Sequence, residues 1–107
     1  MTTGDELLRA LAALDNPHRL RILAALAVER DYVSNLAREL GISRPLLQVH
    51  LRKLEAAGLV TSASEVSPDG KAMKFYEIVP FRLELTPEGV RRAVRTLTAP
   101  EDRRADG

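Results

Sequence analysis

Arg44, Gln48 and Arg52 stand at a spacing of four, which on an α-helix brings each side chain back to nearly the same face. Their chemistry is particular. An arginine guanidinium makes two parallel hydrogen bonds to a guanine edge, and a glutamine amide does the same with adenine. Pro45, Val49 and Lys53 flank them. The first two are small apolar groups suited to a thymine methyl, and the third adds a cation. Lys71 and Lys74 follow the turn signal Ser67-Pro68-Asp69-Gly70 and suit phosphate or minor-groove contacts. These residues form the candidate DNA-binding set. The competing reading is a plain solvated helix face followed by a solvated hairpin, since Arg, Gln and Lys are common on both.

No catalytic set accompanies them. His18 and His50 are the only histidines, and there is no cysteine. Disulfides, thiolate metal sites and a thiol redox switch are thereby excluded. The glycines are scattered at turns and helix ends rather than gathered in a phosphate loop, and no serine stands in a nucleophile-elbow sequence. Nothing in the spacing supplies three convergent zinc ligands. The expectation is a protein that is not an enzyme and carries neither cofactor nor metal. His50 reads as structural, held by a backbone or side-chain acceptor. His18, in a first helical turn, reads as a surface or hydrogen-bonding group.

A reading face needs a helix whose opposite side is buried. Leu47, Leu51 and Leu54 share that side, with His50 and Leu46 at its edge. Ser43 suits the N-cap, and Pro45 is tolerated in a first turn, where the N–H has no partner. The helix runs to about Ala57 and stops at Gly58. Just upstream, Ser34 opens a shorter helix with Leu36, Ala37 and Leu40 as its stripe. Gly41 falls where a left-handed C-terminal residue is needed, and Ile42 drops between the two helices. Two short helices joined by a glycine-containing turn make a helix-turn-helix.

The run GISRPLLQVHLRKLEAAGLV, ending in Gly58-Leu59-Val60, resembles the signature of the ArsR-type winged helix-turn-helix regulators, in which a helix bearing a His-Leu pair and a later Leu leads into Gly-Leu-Val. Upstream, LDNPHRLRIL (Leu14 to Leu23) resembles the start of the second helix of that family. Together the matching segments span about Leu7 to Leu97. The resemblance implies a homodimeric DNA-binding regulator, by family habit a repressor. It also implies a departure at Gln48, where the family commonly has Ser, so the bases read here do not follow from the family. Relatives that sense metals use cysteines near the helix-turn-helix, or His and acidic ligands on the last helix. Neither set carries over, since Arg91, Arg92 and Arg95 occupy the last helix without a histidine. No effector is indicated.

The rest of the chain supplies the frame. Thr3 and Glu6 form a T-x-x-E capping box for a first helix to about Leu14, with Leu7, Leu8, Leu11 and Leu14 as a wide stripe. Asn16-Pro17 starts a second helix to about Val28, with Leu20, Leu23, Ala24 and Ala27 predicted to face inward. Arg19 and Arg21 lie off that stripe and either reach phosphates or are solvated. Tyr32-Val33 reads as a short strand. After Gly58 the period changes to two: Val60 to Val66 and Ala72 to Val79 read as a hairpin, the wing. Beyond Pro80, alternating Phe81, Leu83 and Leu85 predict a half-buried extended segment whose partner is either its own domain or a second subunit. Thr86-Pro87-Glu88 opens a last helix carrying Val90, Ala93, Val94 and Leu97. Leu7, Leu8, Leu11, Val90, Val94 and Leu97 are too many apolar side chains to leave exposed on terminal helices, and they are the candidate dimerisation set.

The predicted fold is therefore mainly α with a small β-wing (α+β), a winged helix-turn-helix in the order helix, helix, short strand, helix, helix, strand, strand, helix. Residues 1–98 form one domain, and 99–107 a polar tail predicted to be disordered. The 107 residues suit a single core, and 45% apolar composition suits a globular fold. Net charge is only +1, so any basic footprint must be local. There is no basic leader ahead of an apolar core and no apolar run of about 20 residues, which points to a cytoplasmic protein. Two functions compete: a homodimeric, sequence-specific regulator bound to double-stranded DNA, and a winged-helix module that binds protein without specific DNA binding. The cations of the candidate set favour the first, and the near-neutral total charge favours the second.

Overall fold

The computed structural model describes residues 3–98; the tail predicted at 99–107 lies outside them. The chain forms α1 (Gly4–Leu14), α2 (Pro17–Val28), β1 (Asp31–Tyr32), α3 (Val33–Leu40), α4 (Arg44–Ala56), β2 (Val60–Val66), β3 (Ala72–Ile78) and α5 (Pro87–Val94). This is the predicted winged helix-turn-helix order. The strands make one antiparallel sheet in the order β1-β3-β2, with Tyr32 opposite Phe75 and Val60 opposite Ile78.

Most caps act as their residue types dictate. The Thr3 hydroxyl accepts from the Glu6 N–H at 3.1 Å, and the Asn16 side chain accepts from His18 and Arg19 N–H at 2.9 and 3.2 Å. The Ser43 hydroxyl accepts from Leu46 N–H at 3.2 Å, and that of Thr86 from Gly89 N–H at 3.0 Å. Gly41 adopts φ 69°, the left-handed value that lets α3 end and the chain turn into α4. Ser34 is not the cap expected of it. The helix starts two residues earlier with Tyr32 at the cap position and no side-chain cap bond. Tyr32 is already held in β1, and the Asp31 carboxylate takes its N–H at 2.8 Å and the Asn35 amide at 2.7 Å.

The core lies where α2, α3 and α4 meet the inner end of the sheet. Ile22, Leu26, Leu36, Leu47, Leu51 and Leu54 are fully buried, joined by Leu59, Val60 and Tyr76. The face of α2 differs from the predicted one. Arg19, Ile22, Leu23 and Leu26 point inward, while Leu20, Ala24 and Ala27 are exposed. This helix is apolar on nearly every side, so periodicity separates its faces weakly, and a buried arginine disguises the true one.

The terminal helices bury mainly small residues. On α1 the buried residues are Gly4, Ala10 and Ala13; Leu7, Leu11 and Leu14 are half-buried and Leu8 is exposed. Small residues let α1 approach the core closely, which turns part of the leucine stripe away from it. No residue of α5 is buried. The two helices meet at their ends. Gly4 N–H donates to the Thr96 hydroxyl at 2.6 Å, Thr98 bonds the Asp5 carboxylate, and a Cβ at Gly4 would overlap the Ala93 carbonyl and Leu97. Residues 81–85 form no regular element and pair with no described strand, and Phe81 and Leu85 are exposed, leaving Leu83 as the half-buried member.

Candidate nucleic-acid interface

Helix α4 follows its leucine pattern. With Leu47, His50, Leu51 and Leu54 buried, the opposite side must face out, and Arg44, Pro45, Gln48, Val49 and Arg52 line one shallow, open concavity there. Lys53 belongs elsewhere. It turns to the flank facing α1, beside Arg9, Arg19 and the small residues Ala12, Ala13, Ala56 and Ala57. The rotation of about 100° per residue accounts for this, since Lys53 follows Arg52 around the helix toward α1.

The wing divides its two lysines. Alternation along β3 puts Lys74 on the same face as buried Tyr76, and its ammonium lies 5.5 Å from the centre of that ring. Arg44, Gln48 and Lys74 therefore share a groove of about 330 Å³ between α4 and the wing, with Tyr32, Ser34 and Met73 among its walls. Lys71 stands instead at the turn. Its N–H donates to the Ser67 hydroxyl at 3.1 Å and its carbonyl accepts from Ser67 N–H at 2.8 Å. Asp69 is beside it, and the Ser67 hydroxyl holds the Asp69 carboxyl below its usual range. The tip is thus of mixed charge, and the cationic side of the wing is its inner face.

Two structural features beside this surface escaped sequence reasoning. The first is Arg30, read only as part of a polar break. It pairs through both terminal nitrogens with Glu65 on β2 and lies 4.5 Å over the Phe75 ring, which Tyr32 meets edge-on at 5.6 Å. Hydrogen bonding from Arg30 pushes the Glu65 carboxyl below its usual range, and the same bond raises Arg30. This brace joins residues far apart in sequence, and only the register of the sheet reveals it. The second is Arg19, expected at phosphate or in solvent. It is buried, with bonds to the Ala13 and Ala12 carbonyls and to Nδ1 of His50. His50, expected at the edge of the apolar face, is buried, and its partner is a donor rather than the acceptor predicted. Burial first, then the charges of Arg19, His18 and Lys53, hold its pKa below the ordinary histidine value.

The candidate dimerisation residues lie along the joined α1 and α5: Leu8, Val90 and Val94 are exposed, and Leu7, Leu11 and Leu97 half-buried. Between these helices and residues 82–84 is a cavity of about 340 Å³, crossed by an ion pair of Arg92 with Glu84. Among the described residues no group of three or more His, Cys, Asp or Glu could hold a metal ion, and no helix is long and apolar enough to cross a membrane.

Residues 16–62 match the family described as "Bacterial regulatory protein, arsR family". The chain is 38% identical over 80 residues to an uncharacterized HTH-type transcriptional regulator of Methanocaldococcus jannaschii, covering 75% of this chain and 83% of that protein. Among solved structures it is similar to HlyU from Vibrio cholerae, at 25% identity and TM-score 0.62, over 85% of this chain and 87% of that one. It also shares the fold of a Mycobacterium bovis protein described as a homodimeric winged helix-turn-helix DNA-binding domain, at 24% identity and TM-score 0.62, over 95% and 80% of the two chains.

Proposed function

This chain belongs to the ArsR family of helix-turn-helix transcriptional regulators, a family of regulators and not of enzymes, and from that premise we propose that it is a cytoplasmic homodimer that represses transcription by occupying a specific duplex site. The observation that carries the reading is one surface. Arg44, Gln48 and Arg52 stand outward on α4, and Lys74 shares the groove of the first two. In this reading Gln48 and Arg52 contact base edges one helical turn apart. Pro45 and Val49 supply apolar contact, Arg44 reaches the first base or the backbone, and Lys71 and Lys74 take phosphates. Lys53, turned toward α1, is the weakest member of the set.

Dimerisation is supported by the exposed apolar edge of α1 and α5 and by the homodimeric description of the M. bovis neighbour. A twofold axis through these helices would present two copies of α4 to successive major grooves, roughly 34 Å apart. Repression rests on the family resemblance and follows physically if the bound dimer excludes polymerase from a promoter. The test is selection of bound sequences from a random duplex pool. A two-part, inverted-repeat site is expected. A pool that shows no enrichment overturns the reading and leaves the protein-binding module in its place.

A further inference from the structure

Helix α1 ends without a basic residue in its last turn, so the negative end of its dipole and its last carbonyls need donors from elsewhere. Arg19 supplies them from α2. Its Nε donates to the Ala13 carbonyl at 2.6 Å and one terminal nitrogen to the Ala12 carbonyl at 3.3 Å. The other terminal nitrogen lies 3.2 Å from Nδ1 of His50, on the buried side of α4. Both side chains are more than nine-tenths buried. Guanidinium has no acceptor, so this contact requires a lone pair on Nδ1, which means a neutral ring with its proton on Nε2. The guanidinium fork is planar and rigid, and its three bonds fix directions as well as distances. His50 lies between Gln48 and Arg52 in sequence, so any roll of α4 about its axis that breaks this contact re-aims both.

We infer that Arg19 is a positioning residue for the reading helix: through His50 it fixes α4 against the C-terminal end of α1, and sequence-specific binding depends on the pair while non-specific binding does not. The inference rests on the DNA-reading role proposed for α4. Non-specific affinity comes from phosphate charge and tolerates small rolls of the helix, whereas paired hydrogen bonds to base edges do not. The groups facing His50 are Arg19 and His18 from α2 and Lys53 from α4 itself, with Arg9 of α1 lining the same flank as Arg19 and Lys53. All are cations or become cations on protonation. A protonated His50 would gain no countercharge from them and would lose its bond to Arg19.

The test uses the full chain and the duplex recovered from the random pool, with a random duplex of equal length as reference. The readout is the ratio of the two affinities. His50→Asn keeps an acceptor near the position of Nδ1, and His50→Leu removes it. Arg19→Lys keeps the charge without the fork. His50→Leu and Arg19→Lys should each lower the ratio about tenfold or more, the size expected for losing a hydrogen bond to a charged group. His50→Asn should hold it near the parent value. On acidification below the ordinary histidine range the parent ratio should fall and that of His50→Asn should stay level, although His18 remains in both. This pair decides the matter even if the leucine or lysine variant fails to fold. The inference is overturned if the Asn variant loses specificity as the Leu variant does, if the ratio is unchanged in both Leu and Lys variants, or if parent and Asn variant respond alike to pH. A pool that yields no duplex overturns the DNA-reading role itself, a different and separately visible failure.

Discussion

Among the described residues, helices α2, α3 and α4 carry all six of the large side chains that are fully withdrawn from solvent, whereas α5 buries none of its residues and α1 buries only a glycine and two alanines. Both regions are rich in Leu, Val and Ala, so composition does not distinguish them. What differs is where the apolar surface goes. In the helix-turn-helix it is spent inside one chain, on a core that sets the orientation of α4. In the terminal pair, small residues make the internal contact, and the larger ones are left at the edge. If the proposed dimer forms through the terminal helices, folding stability and self-association fall to different parts of the sequence, and each can be disturbed without the other.

The strongest way to break this contrast is Leu51→Ala, which empties a position with no solvent exposure and should cost about 2–5 kcal/mol in a denaturant titration. An equal loss in Val94→Ala, whose side chain is 57% exposed, would erase the distinction. Next in size is Val94→Glu combined with Leu8→Glu. The pair should abolish the dimer in light scattering while the circular dichroism of the monomer is retained, and operator affinity should fall with the loss of the second reading helix.

At the proposed reading face the effects are smaller and of two kinds. Gln48→Ala and Arg52→Ala should each cost about 1–3 kcal/mol on the selected duplex with little loss on random DNA. Lys71→Ala and Lys74→Ala should weaken binding to all sequences and lower the salt slope by about one. None of these four should shift the thermal midpoint appreciably. Unchanged affinity and salt slope in Arg52→Ala and Lys74→Ala together would remove DNA from the account of this face.

The smallest effect concerns the wing brace. Glu65 has a lowered carboxyl pKa in the folded chain because of Arg30. Its contribution to stability is therefore present above its unfolded value of 4.5 and is lost as pH falls through the folded value. The pair is exposed, so Glu65→Gln should lower the melting temperature only slightly at neutral pH, and the difference should close in acid. Zinc or cadmium should leave operator affinity unchanged. A tight stoichiometric metal that shifts it would reveal ligands shared between protomers.

How far the sequence could be read follows from the same contrast. Helix α4 was legible because Ser43, Pro45, three spaced leucines and Gly58 all specify one helix and one face. The hairpin was legible because its period changes at Gly58 and its turn is chemically marked. Reading failed where two principles competed. On α2, Leu20, Ala24 and Ala27 offered a stripe as apolar as the true one, and Arg19 looked like a surface residue until its three partners were known. At α3, Ser34 is a good cap by type, but pairing of Tyr32 with β3 set the start earlier. On α1 the leucine stripe left open whether it packs on its own domain or on a second copy, and periodicity could not show that the closest approach to the core is made by Ala10 and Ala13.

The outward residues of α4 have a consequence for how such a protein diverges. Arg44, Gln48 and Arg52 are exposed and make no contribution to the buried core. In the proposed reading, substitution there changes recognition at almost no cost to folding. After a gene duplication, a copy could therefore move to a new regulatory site by exchanging one or two of these side chains, with every intermediate still folded. The core leucines of the same helix have no such freedom. One face of α4 can record the history of its targets, while the other must stay as it is for there to be a protein at all.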